Sequence, residues 1–498
     1  MKSSLPDRNT ARVRPVAPLT AHRILEPGRN CWCEAPFGRA ALLIDAAEYF
    51  LRLEEVLLRA HHSIMIIGWN FDARIALRPE LGSGGARSLS RLLRHLVEER
   101  PELEVRILVW DFSVFYAPSA PTPLLMGADW QKHPRVHLRL DHQHPLTASH
   151  HQKLVCIDDA LAFAGGMDLT VQRWDTPRHL ADDAARVDPD GAAYHPVHDL
   201  QMVVDGAAAR ALADLARRRW KNATGETLSP VRADLDPWPP GLAADFVNSS
   251  IGISRTLPPH KKTSAVHEVA ELNLDALRVA RVAIYIEAQY LTAAVVGDCL
   301  ANHLATADGP EIVIVTSRDF HGILERFVMG SNRDRLVRRL TLVDHHDRLR
   351  AGYPVVPSAE GEQEVLIHSK LLIVDDRLLR VGSSNLNNRS MGLDSECDLA
   401  IEAHDDEARR SIIRLRNRLI AEHLGVSATR LEATIAAESS LVRAVDRLNE
   451  GPRRLHPFPS MDEEGPTATV PGTGLLDPDA PFEPLRIVNR VWDGNSTG

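Results

Sequence analysis

The chain has 498 residues, 44% hydrophobic and 25% charged, with a formal net charge of -9 at pH 7. That is the composition of a globular protein large enough for two domains, and its acidic balance argues against a surface built to embrace nucleic acid, which binds by neutralising phosphates with basic side chains. No transmembrane-length apolar run occurs, residues 1–20 have no apolar signal-peptide core, and the odd set Cys31, Cys33, Cys156, Cys299 and Cys397 suits a reducing compartment, so a cytoplasmic protein, at most peripheral to a membrane, is expected.

In chain order, residues 1–30 carry scattered Pro, Arg and Ser without periodicity and read as a tail or a surface strap. Apolar residues then recur at helical spacing over 45–60, and 63–71 reads as a strand, the opening of an α/β unit. Gly82-Ser-Gly84-Gly85 lacks the strand-to-helix setting of a phosphate loop and reads as a connection. Residues 104–110 form a further strand. The apolar, Pro-containing segment from Phe112 to Trp130 is assigned to the core in preference to a lipid-dipping loop. The first domain is placed at 31–235, and a linker at 236–263 has Asp236-Pro-Trp238-Pro-Pro240-Gly241 as its crossing. The opening then recurs: 265–280 is helical, 281–290 and 311–316 are strands, and the aligned pairs lie about 220, 217 and 207 residues apart, as expected of a duplicated domain. The second domain is placed at 264–425, a helix at 426–450 capped by Ser427, and a Pro/Gly/acidic tail at 451–498. Asp141-His142-Gln-His144, Asp344-His345-His346-Asp347 and Cys31-Trp-Cys33 contain metal-ligand residue types without a defensible ligand spacing.

One stretch occurs twice. Residues 151–168 carry His151, Lys153, Asp158 and then Gly165-Gly166-Met167-Asp168; residues 368–385 carry His368, Lys370, Asp375 and then Gly382-Ser383-Ser384-Asn385. With 7 lysines, 23 histidines and 67 acids in the chain, a His, a Lys two places on and an acid seven places on should arise by chance roughly 0.04 times. A third His-x-Lys, His260 and Lys262, lacks the acid and reads as a loop. The runs 154–157 and 371–374 read as buried strands in which i and i+2 share a face, so each His projects with its Lys. Tight turns at Asp158-Asp159 and Asp375-Asp376 fold a return strand back and bring Asp168 and Asn385 beside their own His-Lys pair. Neither copy holds two histidines, so a site that uses both lies where the halves meet.

The duplicated His-x-Lys-x4-Asp-x6-Gly-Ser-x-Asn pattern resembles the HKD signature of the phospholipase D superfamily. The second copy matches throughout; the first has Gly166 for Ser and Asp168 for Asn. Arg173-Trp174-Asp175, His198-Asp199, Ile286-Glu287-Ala-Gln289-Tyr290 and Glu422-His423-Leu424-Gly425 extend the resemblance over residues 30–425, toward the phosphatidylcholine-hydrolysing branch.

The resemblance implies an α/β fold of two duplicated α-β-α sandwich domains with mixed sheets and one shared active site at their pseudo-twofold interface. It implies a phosphodiesterase that hydrolyses glycerophospholipids at a membrane surface through a phosphohistidine, with transphosphatidylation as a side reaction. A cardiolipin synthase-like phosphatidyltransferase is the alternative, and a superfamily nuclease the next. The implied catalytic set is His151, Lys153, Asp158, His368, Lys370, Asp375, Asp199 and Glu396, with His151 as nucleophile and His368 as acid. Asp199 is expected to back His151 and Glu396 to back His368, their offsets differing through an insertion at 180–195. Asp158 and Asp375, although part of the signature, stand at odd spacing from their His and are expected to turn away from the pocket. Asn385, Ser383, Asp168 and Gln289 are assigned to substrate binding. This set of donors requires no metal or cofactor, and one chain carrying both copies is expected to act as a monomer.

Overall fold

The computed structural model describes residues 22–111, 128–231, 236–261, 263–318, 326–478 and 480; the expected tail over 1–21, the apolar stretch 112–127 and Lys262 lie outside them. The first half contributes β1 (Cys33–Ile44), β2 (Ser63–Gly68), β3 (Glu104–Trp110), β4 (Val136–Asp141), β5 (Leu154–Ile157), β6 (Leu161–Gly165), β7 (Val197–His198) and β8 (Leu200–Asp205). The second contributes β9 (Phe246–Leu257), β10 (Val266–His267), β11 (Ala283–Ala288), β12 (Glu311–Thr316), β13 (Leu349–Ser358), β14 (Gly361–Glu364), β15 (Leu366–Ile367), β16 (Lys370–Val374), β17 (Leu378–Gly382), β18 (Glu396–Glu402) and β19 (Arg454–Pro457).

Strand pairing repeats between the halves. In the first the order is β4-β3-β2-β5-β6-β8-β1, with β2, β3 and β4 parallel and the rest antiparallel. In the second it is β13-β12-β11-β16-β17-β18-β9, with the same directions. β1 pairs with β9 and makes the two sheets continuous. Side-chain alternation sorts the core into layers. Leu154 and Cys156 of β5, with Leu371 and Ile373 of β16, enter one cluster common to both halves. Val155 and Ile157 face a cluster confined to the first half, and Leu372 and Val374 one that belongs mainly to the second.

The signature hairpins have a specific turn chemistry. Asp158, Asp159, Asp375 and Asp376 all have φ between 51° and 54°, the paired left-handed conformation of a type I′ turn, which Asp tolerates through its short polar side chain. Each leading Asp then caps a neighbouring strand. Asp158 accepts from the backbone N–H groups of His61, His62 and Ser63 at 2.7, 2.8 and 2.7 Å. Asp375 accepts from Arg281, Val282 and Ala283 at 2.7, 2.7 and 3.0 Å. Their inclusion in the catalytic set is thereby corrected: both carboxylates fasten the starts of β2 and β11 and face away from the histidines.

Three boundaries differ from the sequence-based expectations. The stretch expected to be a linker contains β9, whose Ile251 and Ile253 are fully buried between β1 and β18; its Ser- and Asn-rich first half hid the strand. The helix expected over 426–450 is two, Ala428–Glu438 and Leu441–Leu448, broken where Ser439 turns left-handed at φ 51° and Ser440 caps the second. The tail contributes β19, paired with β13, and Asp477 accepts from Thr292 Oγ1 and Arg389 N, both at 2.9 Å. Among the described residues no helix is long and apolar enough to cross a membrane.

Truncating one leading Asp strands three backbone donors, at about 1–3 kcal/mol for a buried donor left unmade. Asp158→Ala is expected to deprotect the amides of His61, His62 and Ser63 in hydrogen exchange and leave 281–283 unchanged, with Asp375→Ala doing the converse. Unchanged exchange at the cognate amides in either variant would remove the capping role.

Candidate active site

β7 and β15 run parallel across the interface, Val197 beside Leu366 and His198 beside Ile367, so the next residues on each strand, Asp199 and His368, come side by side. The other half does the same with a single parallel bridge between His150 and Ser395, which sets His151 beside Glu396. Backbone bonds lock both registers: His368 N donates to His198 O at 2.8 Å, and His151 N to Ser395 O at 2.9 Å. His368 Nδ1 lies 2.6 Å from Asp199 Oδ2, and His151 Nδ1 lies 3.0 and 3.1 Å from the Glu396 oxygens.

The pairing expected from chain order is therefore reversed. Glu396 backs His151, and Asp199 backs His368. Each acid belongs to the half opposite its histidine, a relation that offsets within one half do not reveal.

The surrounding residues divide into those that hold the machinery and those left to a ligand. Ser383 Oγ donates to Glu396 Oε2 at 2.5 Å and Ser390 Oγ to Glu396 Oε1 at 2.7 Å, so Ser383, assigned to substrate, instead fixes the acid behind His151. Asp168 Oδ1 accepts from Trp69 N at 2.8 Å and its Oδ2 sits 3.2 Å from Lys153 Nζ; this carboxylate is a partner of the lysine and no phosphate ligand. Gln289 Oε1 is the corresponding acceptor for Lys370 at 3.0 Å. Lys153 also donates to His151 O at 2.9 Å, which leaves it about one of its three donors, while Lys370 donates to His368 O and lies 3.2 Å from His368 Nδ1, so that it has a polar neighbour for each. Asn385 is buried, and its Oδ1 has no partner in the protein. That oxygen can accept from a hydroxyl of a ligand, whereas a phosphate oxygen would have to be met by the amide Nδ2.

Burial dominates the electrostatics of this pocket. Together with the charges of Lys153 and Lys370 it holds His151 well below the usual imidazole range. His368 is held down likewise by burial, Lys370, Arg173 and Lys153, with His151 also acting on it, so the two rings share one field. Burial pushes Asp199 up to about 6 and, despite two hydroxyl donors and Lys153, Glu396 up to about 8. It brings Lys370 down to about 7.

Two contributors were missed. Arg173, a third cation acting on His368, Lys370 and Asp199, sits in the Arg-Trp-Asp run that had no assigned role. Trp69 meets the His151 ring edge-on at 6.4 Å, just past β2, where apolar patterning marks only a strand. The arrangement can present an uncharged imidazole, a second imidazole in reach of a carboxylate, and two ammonium groups to one anionic centre, with no ligand cluster for a metal among them.

Comparison with known proteins agrees with this geometry. A family model described as phospholipase D matches residues 56–237, and one described as cardiolipin synthase, phospholipase D-like domain, matches 274–415. "Phospholipase D1" of Schizosaccharomyces pombe is 24% identical over 517 residues, covering 81% of this chain and 37% of the relative. "Phospholipase D1" of Saccharomyces cerevisiae is 25% identical over 501 residues, covering 77% and 28%. The chain thus spans about a third of the length of these yeast relatives. "Phospholipase D alpha 2" of Brassica oleracea var. capitata is 24% identical over 618 residues, covering 92% of this chain and 73% of the relative. Among solved structures, phosphatidylserine synthase of Haemophilus influenzae shares the fold at a TM-score of 0.52 and 14% identity, over 77% of this chain and 88% of that one.

An anion in the pocket needs Lys370 charged, whereas the free protein releases that proton near pH 7. Affinity for sulfate, whose own charge is constant here, is therefore expected to be greatest below about pH 7 and to weaken toward tenfold per unit above it, with uptake of close to one proton. Lys370→Arg should abolish the dependence. Affinity unchanged from pH 7 to 9.5 by isothermal titration would show that Lys370 keeps its charge unaided.

Proposed function

The chain belongs to the phospholipase D superfamily, and from that premise we propose that it is a phospholipase D, cleaving a glycerophospholipid to phosphatidate and free head group through a phosphohistidine. The observation that carries this reading is the crossed pair: two signature histidines in one electrostatic field, each backed by a carboxylate of the opposite half.

In the first step Nε2 of His151 attacks phosphorus and the P–O bond to the head group breaks, its oxygen taking a proton from Nε2 of His368. In the second, His368 takes a proton from water, whose oxygen attacks phosphorus and breaks the P–N bond, releasing phosphatidate and neutral His151. Lys153, Lys370 and the amide Nδ2 of Asn385 donate to the non-bridging oxygens, on which negative charge accumulates. The division of roles is supported by the two acids. Asp199, at about 6, is the carboxyl that stays ionised at neutral pH and so best sustains a charged ring on His368. Glu396, at about 8, sustains one poorly and leaves His151 neutral for attack. An arriving phosphate offsets Lys153, Lys370 and Arg173, the cations that hold His368 uncharged at rest, so substrate itself raises the proton affinity of the acid.

The protein is further proposed to work as a monomer, from the cytoplasm, on a lipid surface it does not span. A second reading, transfer of the phosphatidyl group to a lipid alcohol, is favoured by the cardiolipin synthase description of the model matching 274–415. Phosphatidylethanol formed from labelled lipid in ethanol reports transfer through the intermediate, and a lipid alcohol such as phosphatidylglycerol offered as acceptor distinguishes the second reading.

The crossed pairing predicts how variants group. His151→Ala is expected to form no adduct on any substrate. His368→Ala should still release nitrophenol from a nitrophenyl phosphatidyl ester and accumulate an adduct on His151, while the natural lipid loses a further factor of about 10² to 10⁴. Asp199→Asn should follow His368→Ala and be rescued by the activated leaving group; Glu396→Gln should follow His151→Ala and not be rescued. Mass spectrometry of quenched samples checks this. An adduct on His368 in the His151 variant would reverse the roles, and rescue of Glu396→Gln in place of Asp199→Asn would refute the crossed assignment.

A further inference from the structure

One residue before Asp199, His198 enters a second polar cluster, fully buried, for which the phosphodiester chemistry has no use. Its Nδ1 lies 3.0 Å from Asp45 Oδ1 and 3.1 Å from Glu422 Oε1. Nε2 of His179 lies 3.1 Å from the same Glu422 oxygen and 3.6 Å from Asp45 Oδ2. Asp45, His179 and His198 have 0% side-chain exposure and Glu422 7%. Despite these distances, His198 Nδ1 and both oxygens of Asp45 make no hydrogen bond of acceptable geometry. A single in-plane N–H cannot point at two oxygens on different residues, and a buried carboxylate without donors is costly.

We propose that Asp45, His179, His198 and Glu422 form a binding site for a divalent transition-metal ion, with zinc fitting the donor set. Zinc takes imidazole nitrogen and carboxylate oxygen at about 2.0–2.2 Å, so a tetrahedral site has donor-to-donor edges of roughly 3.3–3.5 Å. His198 Nδ1 stands 3.0 and 3.1 Å from Asp45 Oδ1 and Glu422 Oε1, His179 Nε2 stands 3.1 Å from the same Glu422 oxygen and 3.6 Å from the other Asp45 oxygen, and one donor atom from each of the four residues lies within 4.8 Å of the rest. The far nitrogen of each histidine is held as metal-bound imidazoles require. His198 Nε2 lies 3.0 Å from Glu287 Oε2, whose other oxygen takes Tyr285 Oη at 2.5 Å and lies 3.1 Å from His423 Nε2. His179 Nδ1 lies 2.9 Å from Asp175 Oδ2, and Asp175 also pairs with Arg186 at 3.1 Å.

Charge gives the same answer. The carboxylates of Asp45, Asp175, Glu287 and Glu422 face two guanidinium groups, Arg186 and, 3.8 Å from Glu422, Arg453. Two positive charges are wanting, and one divalent ion among neutral imidazoles provides them without burying two imidazolium rings whose centroids stand 5.7 Å apart. The site has a structural role, and it is joined to the carboxylate behind His368: Asp45 N donates to Asp199 O at 2.9 Å.

The test uses the full chain purified without immobilised metal. Elemental analysis is expected to find about one zinc per chain, and chain refolded from chelator and denaturant should take up cobalt with the visible absorption of a tetrahedral site and regain thermal stability. Asp45→Asn and His179→Gln should lose the metal, while His151→Ala and His368→Ala keep it. Should the single-site variants fail to fold, the cobalt spectrum of the refolded wild type decides. Neither metal nor cobalt uptake in zinc-supplemented protein would overturn the proposal in favour of two buried imidazolium ions, as would metal that persists in Asp45→Asn but vanishes in His151→Ala.

Discussion

Two short stretches of parallel backbone pairing decide the arrangement of everything else. β7 against β15 and His150 against Ser395 are too small to stabilise an interface by hydrogen bonds alone, each net bond being worth about 1 kcal/mol. Their effect is registration. Once Ile367 stands beside His198 and Ser395 beside His150, the residues one step on have no freedom, and each histidine meets the acid of the other half. A slip of one residue would present the opposite faces of the strands and separate both pairs at once. The catalytic geometry and the union of the two halves are thus one constraint, reinforced by the continuous pairing of β1 with β9.

That arrangement places imidazoles, ammonium groups and carboxyls out of water in one pocket, where charged forms are disfavoured unless compensated. Compensation is unequal. Lys153 has a carboxylate, Asp168, at 3.2 Å, whereas Lys370 meets the neutral amide of Gln289 at 3.0 Å and, with Asp199 opposing, is brought by burial down to about 7. The lysine of the second half therefore holds its proton less firmly than a free lysine does. An anion supplies to the second half what Asp168 supplies to the first, which makes Asn385, standing where the first half has that acid, part of the means by which binding and protonation are coupled.

Much of this was legible in the chain because the signature residues are bound by local geometry. The His-x-Lys spacing, the Asp-Asp turns and the alternation of Leu154, Val155, Cys156 and Ile157 follow from strand periodicity and turn chemistry, which short segments express by themselves. β9 was not legible, since its polar first half is stabilised by neighbours β1 and β18 that come from distant parts of the chain. The crossing of Asp199 and Glu396 was not legible either. Pseudo-symmetry makes the direct and crossed pairings equivalent in sequence, and only the bridging strands distinguish them. Arg173 and Trp69 escaped notice because nothing in their local pattern separates a pocket residue from a surface or core one.

The departures of the first signature from the second follow from the unequal length of the two acids. Asp199 is one methylene shorter than Glu396, yet both must reach a ring fixed by backbone pairing. The first half closes the gap by bringing Asp199 onto the backbone of Gly166, where an added Cβ would lie 2.2 Å from Asp199 Oδ1. A serine there is impossible while Asp199 keeps its place. The longer Glu396 leaves room for the Ser383 side chain and is then steadied by its hydroxyl and that of Ser390. Gly166 with Asp199 and Ser383 with Glu396 are two solutions to one distance, and neither member of a pair can be exchanged alone. What looks like erosion of the motif is the geometric counterpart of the shorter acid, and it gives the two histidines partners of different acidity, about 6 behind His368 and about 8 behind His151, on which an acid and a nucleophile at one pH depend.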